Sequence, residues 1–311
     1  MWRLGLVGAA ILGAAVTLAA RQTPPQQNPP QQPTFRTGVR TVPVYVTVSD
    51  GAGSFVLDLT KDDFEVRDNG RVQTITQFTT TAQPLSTLLL LDGSSSMWNV
   101  MNSVFGGANA FIVRMLPADR TAIASFADRF QMRQPFTSNR DELLAHLADE
   151  FNIRLGTETR LWNAVVEGAM AVGREDGRRV LIVLSDGKNF VNPRDSTATV
   201  GQATGAAISR DVMIYGIAMW TSWDGKEDPP DRVLTQLAED TGGGALELRQ
   251  WDEINATFAR VAKELHQQYV IGFTPAVLDG KVHQLDVKVK QPGARVRSRR
   301  SYFAGDAPKQ P

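Results

Sequence analysis

Aliphatic segments without polar alternation recur through the middle of the chain, and segments with helical periodicity separate them. Residues 85–91 and 180–184 are dominated by Leu, Val and Ile, as expected of strands covered on both faces of a sheet. The predicted strands span residues 85–91, 121–126, 180–184, 212–219 and 245–248, and the predicted helices span residues 99–115, 141–151, 161–172 and 232–239. This alternation predicts an α/β domain over residues 83–250 with a doubly wound, mostly parallel, Rossmann-like sheet.

The segments on either side of this domain have the patterns of β-structure. Four valines alternate with other residue types near the start of the predicted folded part, namely Val42, Val44, Val46 and Val48. The turn Asn69-Gly70 predicts a hairpin between residues 62–66 and 72–78. After a predicted helix, further strands are expected; the helix spans residues 252–267 and the strands span residues 269–273, 284–290 and 294–303.

Each of these β-rich segments would be marginally stable alone, because two or three strands bury little apolar surface. We therefore expect the N-terminal unit, residues 35–82, to pack with the C-terminal unit, which lies within residues 251–304. Together they would form an accessory β domain beside the α/β domain. Residues 305–311 are left as a short tail.

The first 34 residues have the pattern of an export signal followed by a tether. Arg3 precedes an apolar run over residues 4–20, and residues 22–33 are almost only Gln, Pro, Thr and Asn. We predict a signal peptide at residues 1–20 and a linker at residues 21–34, in a secreted or periplasmic protein. The alternative is that the apolar run stays as an N-terminal membrane anchor, the one case in which membrane contact is expected.

Charge and cysteine content narrow the function classes. Lys plus Arg and Asp plus Glu balance at 33 each, so no net field would draw the protein onto nucleic acid, and none is expected as a partner. The chain contains no cysteine, which excludes disulfides, thiolate metal sites and cysteine nucleophiles.

Two of the predicted buried strands end in oxygen-bearing side chains. The first runs into Asp92, Ser94 and Ser96, and another runs into Asp186. Because the carboxyl ends of parallel strands meet at one edge of the sheet, these side chains are expected to converge there. Oxygen ligands of this kind suit a hard divalent cation, with Mg²⁺ fitting best and Mn²⁺ or Ca²⁺ as alternatives.

Asp92-x-Ser94-x-Ser96 after an apolar strand, a threonine before a helix, and the aspartate of Leu184-Ser185-Asp186-Gly187 resemble a known site. It is the metal-ion-dependent adhesion site (MIDAS) of von Willebrand factor type A (VWA) domains. The resemblance implies that Asp92, Ser94, Ser96 and Thr159 surround the cation directly or through water, with Asp186 supporting from further out. Thr157 is the alternative threonine. Glu158 stands where the family commonly has a second glycine.

The flanking segments at residues 59–78, 264–275 and 299–303 resemble the bacterial "VWFA-related" proteins typical of acidobacteria. This resemblance implies the fold, export and an adhesion-type metal site. The expected partner is an unidentified protein that offers a carboxylate to the cation, since the cation has one formally charged direct ligand and stays electrophilic. Trp98, Glu158 and Trp162 are candidates for the rim around this position, and Trp220 and Trp223 are candidates for the same edge.

Two other function classes compete with this interpretation. A structural or assembly protein would pack its α/β domain against neighbours without metal. A Mg²⁺-dependent phosphatase-like hydrolase would also begin with an aspartate after a buried strand, but it needs a second acid where this chain has Ser94. A Ser/His/Asp triad lacks its base, because His146 and His266 are expected far from the site. We therefore predict no catalytic residues and no enzymatic activity.

Overall fold

The computed structural model describes residues 41–149, 156–195, 197–223, 226–249 and 253–305. The predicted signal peptide, the linker and all but the first residue of the tail lie outside these ranges. No helix in the described part of the chain is both long and apolar enough to cross a membrane.

The elements follow one another along the chain as a β-rich segment, an α/β segment and a second β-rich segment. The strands are β1 (Val42–Ser49), β2 (Phe64–Asp68), β3 (Arg71–Gln73), β4 (Ile75–Thr79), β5 (Leu85–Asp92), β6 (Arg120–Phe126), β7 (Phe130–Thr137), β8 (Arg178–Ser185), β9 (Val212–Met219), β10 (Thr221–Trp223), β11 (Lys226–Asp228), β12 (Ala245–Leu248), β13 (Tyr269–Phe273), β14 (Lys281–Val289), β15 (Arg295–Arg297) and β16 (Ser301–Ala304). The α-helices are α1 (Met101–Ile112), α2 (Arg140–Asp149), α3 (Leu161–Val172), α4 (Val200–Ser209), α5 (Arg232–Thr241) and α6 (Ile254–His266). Short 3₁₀ helices lie at Lys61–Asp63 and Ser95–Val100.

The central sheet has six strands in the order β12-β9-β8-β5-β6-β7. All neighbours are parallel except β7, which runs antiparallel to β6 at the edge. Successive leucines of β5 face opposite sides, so that Leu89 and Leu91 join one apolar core and Leu88 and Leu90 join the other. Helices α1, α2 and α6 cover the first core, and α3, α4 and α5 cover the second. The predicted doubly wound α/β fold is confirmed.

The N-terminal and C-terminal β-rich segments together form two antiparallel sheets, which confirms the accessory β domain. Strand β1 lies between β13 and β15 in a sheet of order β15-β1-β13-β4, and β2 pairs with β14 in a sheet of order β16-β14-β2-β3. Their facing sides share one apolar core that includes Val44, Phe64, Tyr269 and Phe273. Each half of this core comes from a different end of the chain, so neither end can complete it alone.

Several elements differ from the sequence-based expectation. The predicted strand at residues 72–78 is divided, because β3 pairs with β2 while β4 pairs with β13 in the other sheet, and the hairpin of β10 and β11 was not predicted. The predicted strand at residues 294–303 is divided, because β15 pairs with β1 while β16 pairs with β14 in the other sheet. Strand β7 was not predicted; it contains Pro135, which a sheet edge tolerates because no ladder hydrogen bond is required there. Helix α4 was also not predicted, since Gly201 and Gly205 lower its intrinsic helix propensity.

Candidate metal centre

Asp92 lies at the carboxyl end of β5 and its side chain is fully buried. Its Oδ1 accepts a 2.9 Å hydrogen bond from the backbone N–H of Ser94. Its Oδ2 accepts a 2.6 Å hydrogen bond from the hydroxyl of Ser185 at the end of β8. The carboxylate is therefore held in one orientation by the two adjacent strands of the sheet.

The turn after β5 places alternate serines together. Ser94 is buried, and its Oγ lies 3.2 Å from the Oγ of Ser96. Ser95, between them, is exposed. The backbone N–H of Gly93 donates to the carbonyl of Phe126 at 2.8 Å, which ties the start of the turn to the end of β6. The structure thus brings two of the predicted hydroxyl ligands to one place directly after Asp92.

Asp186 follows β8 and is also buried, with 1% of its surface exposed. Its Oδ1 accepts a hydrogen bond from the backbone N–H of Lys188 at 3.1 Å. Gly187 has a φ of 78°, and a Cβ there would lie 3.0 Å from the carbonyl oxygen of Asp231, so the turn requires glycine. This turn directs the second carboxylate into the same buried region as the first.

The two carboxylates influence each other electrostatically. Burial raises the pKa of Asp92 from 3.8 to about 7, and the nearby charge of Asp186 adds to the rise. The hydrogen bonds from Ser185 and Ser94 lower this pKa and only partly offset the effect. The site thus holds a carboxylate that is costly to ionise in the absence of a positive charge.

Thr159 lies in the loop before α3, with 5% of its surface exposed. Its backbone N–H donates to the carbonyl of Phe190 at 2.7 Å, and the N–H of Phe190 donates back at 2.9 Å. The next N–H, of Arg160, donates to the carbonyl of Ala127 beyond β6 at 2.9 Å. The loop is thereby fixed at the same sheet edge as Asp92. The alternative threonine, Thr157, is exposed, whereas Thr159 is buried in this loop.

The carboxylate of Glu158 is bound by Arg160 and Asn192. It accepts a hydrogen bond of 2.9 Å from the guanidinium of Arg160 and one of 3.2 Å from the backbone N–H of Asn192. The backbone N–H of Glu158 donates to the Oδ1 of Asp128 at 2.7 Å. Glu158 therefore braces the loop that carries Thr159, and both of its carboxylate oxygens are engaged.

The candidate rim tryptophans have different environments. Trp98 is 41% exposed, in the 3₁₀ helix that follows Ser94. Trp162 is only 7% exposed and belongs to the apolar core beneath α3, so its ring is not available at the surface. Trp220 stacks under the guanidinium of Arg249 at 4.0 Å. The side chain of Trp223 lies outside the described part of the structure.

Sequence reasoning assigned no role to Ser185 or Phe190. Ser185 enters the sequence analysis only as part of a motif, although its position as the last residue of a buried strand, next to Asp186, is a signal for such a role. Phe190 is 69% exposed and pairs with Thr159 through its backbone. No periodic pattern in its segment indicated this pairing.

The donor set fits a hard divalent cation. Within the described ranges, no cluster of three or more His, Cys, Asp or Glu side chains is arranged to hold a metal ion. Two buried carboxylates, Asp92 and Asp186, instead lie with the hydroxyls of Ser94 and Ser96 at this edge, and Thr159 is buried in the loop tied to the same edge. A set of oxygen donors of which only a few are charged suits Mg²⁺ or a similar ion. A bound cation would also offset the cost of ionising Asp92.

The histidines whose contacts are defined lie elsewhere. His266 Nε2 is 2.8 Å from Asp119 Oδ2, at the opposite end of β6 from Ala127. His283 is buried in the accessory domain, with Nδ1 2.9 Å from Asp68 Oδ1. Neither lies among the hydrogen-bond partners of Asp92 and Ser94 described above, so neither is placed to act as a base for a serine of this site.

Comparisons with known proteins concern the family and the fold. The sequence model of the von Willebrand factor type A domain matches residues 88–260, which is more than half of the chain. No curated protein gives a significant match. The chain is similar to the solved structure of proximal thread matrix protein 1 from the mussel byssus, at 15% identity over 70% of this chain and 50% of that chain, with a TM-score of 0.50.

Two bacterial structures are also similar in fold. One is the conserved hypothetical protein BatB from Bacteroides thetaiotaomicron, at 14% identity over 58% of this chain and 98% of that chain, with a TM-score of 0.46. The other is a von Willebrand factor type A protein from Catenulispora acidiphila, at 11% identity over 86% of this chain and 75% of that chain, with a TM-score of 0.49. At such identities the similarity concerns the fold alone.

Proposed function

Because the chain belongs to the von Willebrand factor type A domain family, we propose that it is an exported protein-binding module with a metal-dependent adhesion site. Domains of this family are typically non-enzymatic protein-interaction modules. The proposed cation is Mg²⁺, with Mn²⁺ and Ca²⁺ as alternatives. Asp92, Ser94, Ser96 and Thr159 would hold it, and Asp186 would support it.

One observation carries the metal-dependent part of this proposal. Asp92 and Asp186 are both buried, and the charge of Asp186 helps to raise the pKa of Asp92 to about 7. Two neighbouring buried carboxylates are unfavourable unless a positive charge compensates them. The adjacent hydroxyls of Ser94 and Ser96 supply neutral oxygen donors. A divalent cation satisfies all of these groups at once.

The proposed partner is a protein that presents a carboxylate. The bound cation would supply a positive centre with one directly bound formal negative charge, from Asp92, and it would therefore attract an anionic oxygen. Charge complementarity of this kind gives specificity and faster association. The partner's acidic side chain would complete the oxygen coordination that a hard cation prefers.

The proposed location is secreted or periplasmic. Arg3 followed by the apolar run at residues 4–20 supports this part of the proposal. The resemblance of the flanking segments to bacterial "VWFA-related" proteins supports the same location. Export would place the adhesion site where an extracellular or periplasmic partner can reach it.

Calorimetric titration of Mg²⁺, Mn²⁺ and Ca²⁺ tests the metal site. Wild type should bind Mg²⁺, Asp92→Ala should give no binding heat, and Ser94→Ala and Ser96→Ala should bind at least about tenfold more weakly. Ser95→Ala is the matched control, because Ser95 is the exposed serine between them. It should bind like wild type.

Two outcomes would overturn the proposal. Equal heats for wild type and Asp92→Ala would favour a structural or assembly role without metal. Turnover of general phosphatase substrates with Mg²⁺, if Asp92→Ala abolished it, would favour a hydrolase. Retention of an exported partner by wild type in Mg²⁺, and its release by a chelator, would extend the proposal from metal to protein binding.

A further inference from the structure

Phe190 is the most exposed large apolar side chain in the described part of the chain, at 69%. Most exposed apolar side chains need no explanation, but exposed aromatic rings beside a binding site are common anchors for partners. Phe190 lies in the loop that follows Asp186, and its backbone pairs with Thr159, a proposed cation ligand. Its position therefore links an exposed ring to the proposed metal centre.

The fold fixes the backbone of Phe190 and leaves most of its side chain exposed. Both hydrogen bonds with Thr159, of 2.7 and 2.9 Å, involve main-chain atoms that any residue except proline could provide. Residues that exchange both hydrogen bonds in this way have Cα atoms about 5.5 Å apart. The phenyl ring is consequently presented at a set distance from Thr159, and the hydrogen bonds that fix this position are made by the backbone alone.

The rest of the loop is anchored on both sides of Phe190. Lys188 forms an ion pair with Asp228 of β11, and the N–H of Asn192 donates to Glu158 at 3.2 Å. A loop held at three points loses little conformational entropy when a partner binds, which favours affinity. Phe190 is therefore preorganised for contact.

Two cationic side chains of these loops are paired within the protein. Arg160 is bound by Glu158 and Asp195, and Lys188 is bound by Asp228. These two groups have little charge left to select an acidic partner segment. Apolar contact with Phe190, and with the half-exposed Trp98 in the turn after Asp92, is therefore available as a basis for discrimination beyond charge.

We infer that Phe190 is a specificity-determining anchor, and that the partner segment carries an aromatic or aliphatic side chain within about three residues of its metal-binding carboxylate. This inference rests on the proposed function, since the carboxylate is the group that the cation would bind. The expected partner is thus a protein segment in which an acidic residue lies among apolar residues.

Displayed heptapeptides test this inference with a defined probe. One library has a fixed central Asp and randomised flanks, and a second has Asn at the centre. Wild type should enrich Asp-centred peptides in Mg²⁺ and not in chelator, with aromatic or aliphatic residues over-represented in the flanks. Phe190→Ser should keep the Mg²⁺ and Asp dependence, lose the apolar preference, and bind the selected peptides about tenfold more weakly. Phe190→Leu should retain most of the affinity.

The controls distinguish the role of Phe190 from that of the proposed adhesion site. Val282→Ser removes an exposed apolar side chain, 57% exposed, from the accessory domain, and it should select the same peptides as wild type. An unchanged apolar preference in Phe190→Ser would refute the anchor and leave the adhesion site standing. Absence of any Mg²⁺- and Asp-dependent enrichment by wild type would refute the proposed function, and the anchor with it.

Discussion

The hydroxyl of Ser185 donates a 2.6 Å hydrogen bond to Oδ2 of Asp92 and joins the ends of two adjacent parallel strands. The hydroxyl oxygen of Ser185 also accepts a 3.0 Å hydrogen bond from the backbone N–H of Gly187. One hydroxyl therefore orients the first carboxylate of the proposed site and shapes the turn that carries Asp186. Groups that orient metal ligands contribute strongly to affinity although they do not touch the metal.

Ser185→Ala should weaken Mg²⁺ binding about 10- to 100-fold, because Asp92 would lose the partner of its Oδ2. Calorimetric titration measures this effect. Ser86→Ala is a matched control: Ser86 is a buried serine of β5 whose hydroxyl donates to the carbonyl of Asp176 at 2.7 Å, at the strand end remote from the site. Both variants should lose about 1 kcal/mol of stability, and only Ser185→Ala should lose metal affinity. Equal affinities would contradict the orienting role.

Asp92→Asn should stabilise the metal-free protein above pH 7. The folded-state pKa of Asp92, about 7, lies above its ordinary value of 3.8, so its favourable contribution is complete below pH 3.8 and is lost as the pH rises to 7. That difference in pKa corresponds to roughly 4 kcal/mol, which is an upper bound for the gain on substitution. Urea unfolding in chelator at pH 5 and pH 8 should show the larger gain at pH 8.

Addition of Mg²⁺ at pH 8 should reverse the order of stability. A ligand that binds only the folded state stabilises it, and Asp92→Asn lacks the charged ligand. Wild type should therefore gain stability with Mg²⁺ concentration and the variant should not. A variant that is less stable than wild type in chelator at pH 8 would show that burial of the charge at Asp92 is not costly.

The sheet, and the position of Asp92 and Asp186 at one of its edges, could be predicted because they follow from short-range patterns. The aliphatic runs that end at Asp92 and at Ser185 identify strands buried on both faces, and such strands place their carboxyl ends together. The role of Ser185 could not be predicted in the same way. It depends on the register of β5 against β8, in which Leu91 lies opposite Leu184, and a single sequence does not encode that register visibly.

Long-range pairing accounts for two further features that the sequence does not predict. Residues 294–303 have the composition of one strand, yet Val296 pairs with Val48 and Phe303 pairs with Val282 in another sheet. The exposure of Phe190 similarly results from its bridge to Thr159, 31 positions away. In both cases the partner segment, and not local propensity, decides the structure.

Gly156→Ala should disturb the loop that carries Thr159. Gly156 has a φ of 151°, and a Cβ there would lie 2.0 Å from the carboxylate carbon of Asp128. Asp128 would have to move and would lose its hydrogen bond from the N–H of Glu158. We expect a stability loss of about 2 kcal/mol and weaker Mg²⁺ binding, measured by chemical unfolding and calorimetry.

Gly205→Ala serves as the control for Gly156→Ala. Gly205 lies within α4 with no atom within 4 Å of an added Cβ, so alanine should raise stability by about 0.5–1 kcal/mol without affecting the metal site. If Gly156→Ala bound Mg²⁺ as tightly as Gly205→Ala does, the loop before α3 would have no part in holding the cation.

Glu264→Ala should weaken the contact between the accessory domain and the α/β domain and so lower the stability of the protein. The buried Glu264 of α6 accepts 2.8 Å hydrogen bonds from Thr47 of β1 and Tyr215 of β9, and it pairs with Arg297 of β15. Its removal leaves these donors and the guanidinium without their acceptor, at a cost of about 3 kcal/mol. Chemical unfolding should report this loss, whereas Mg²⁺ affinity of the folded protein should stay unchanged.

Glu239→Ala is the matched control for this last change. Glu239 pairs with Arg300 at 3.0 Å, and both side chains are largely exposed, so its loss should cost less than about 1 kcal/mol. Both variants remove one glutamate from an ion pair between the α/β domain and the C-terminal strands. They differ in burial and in the number of donors that converge on the carboxylate. Similar stability of the two variants would mean that the buried cluster around Glu264 does not hold the accessory domain in place.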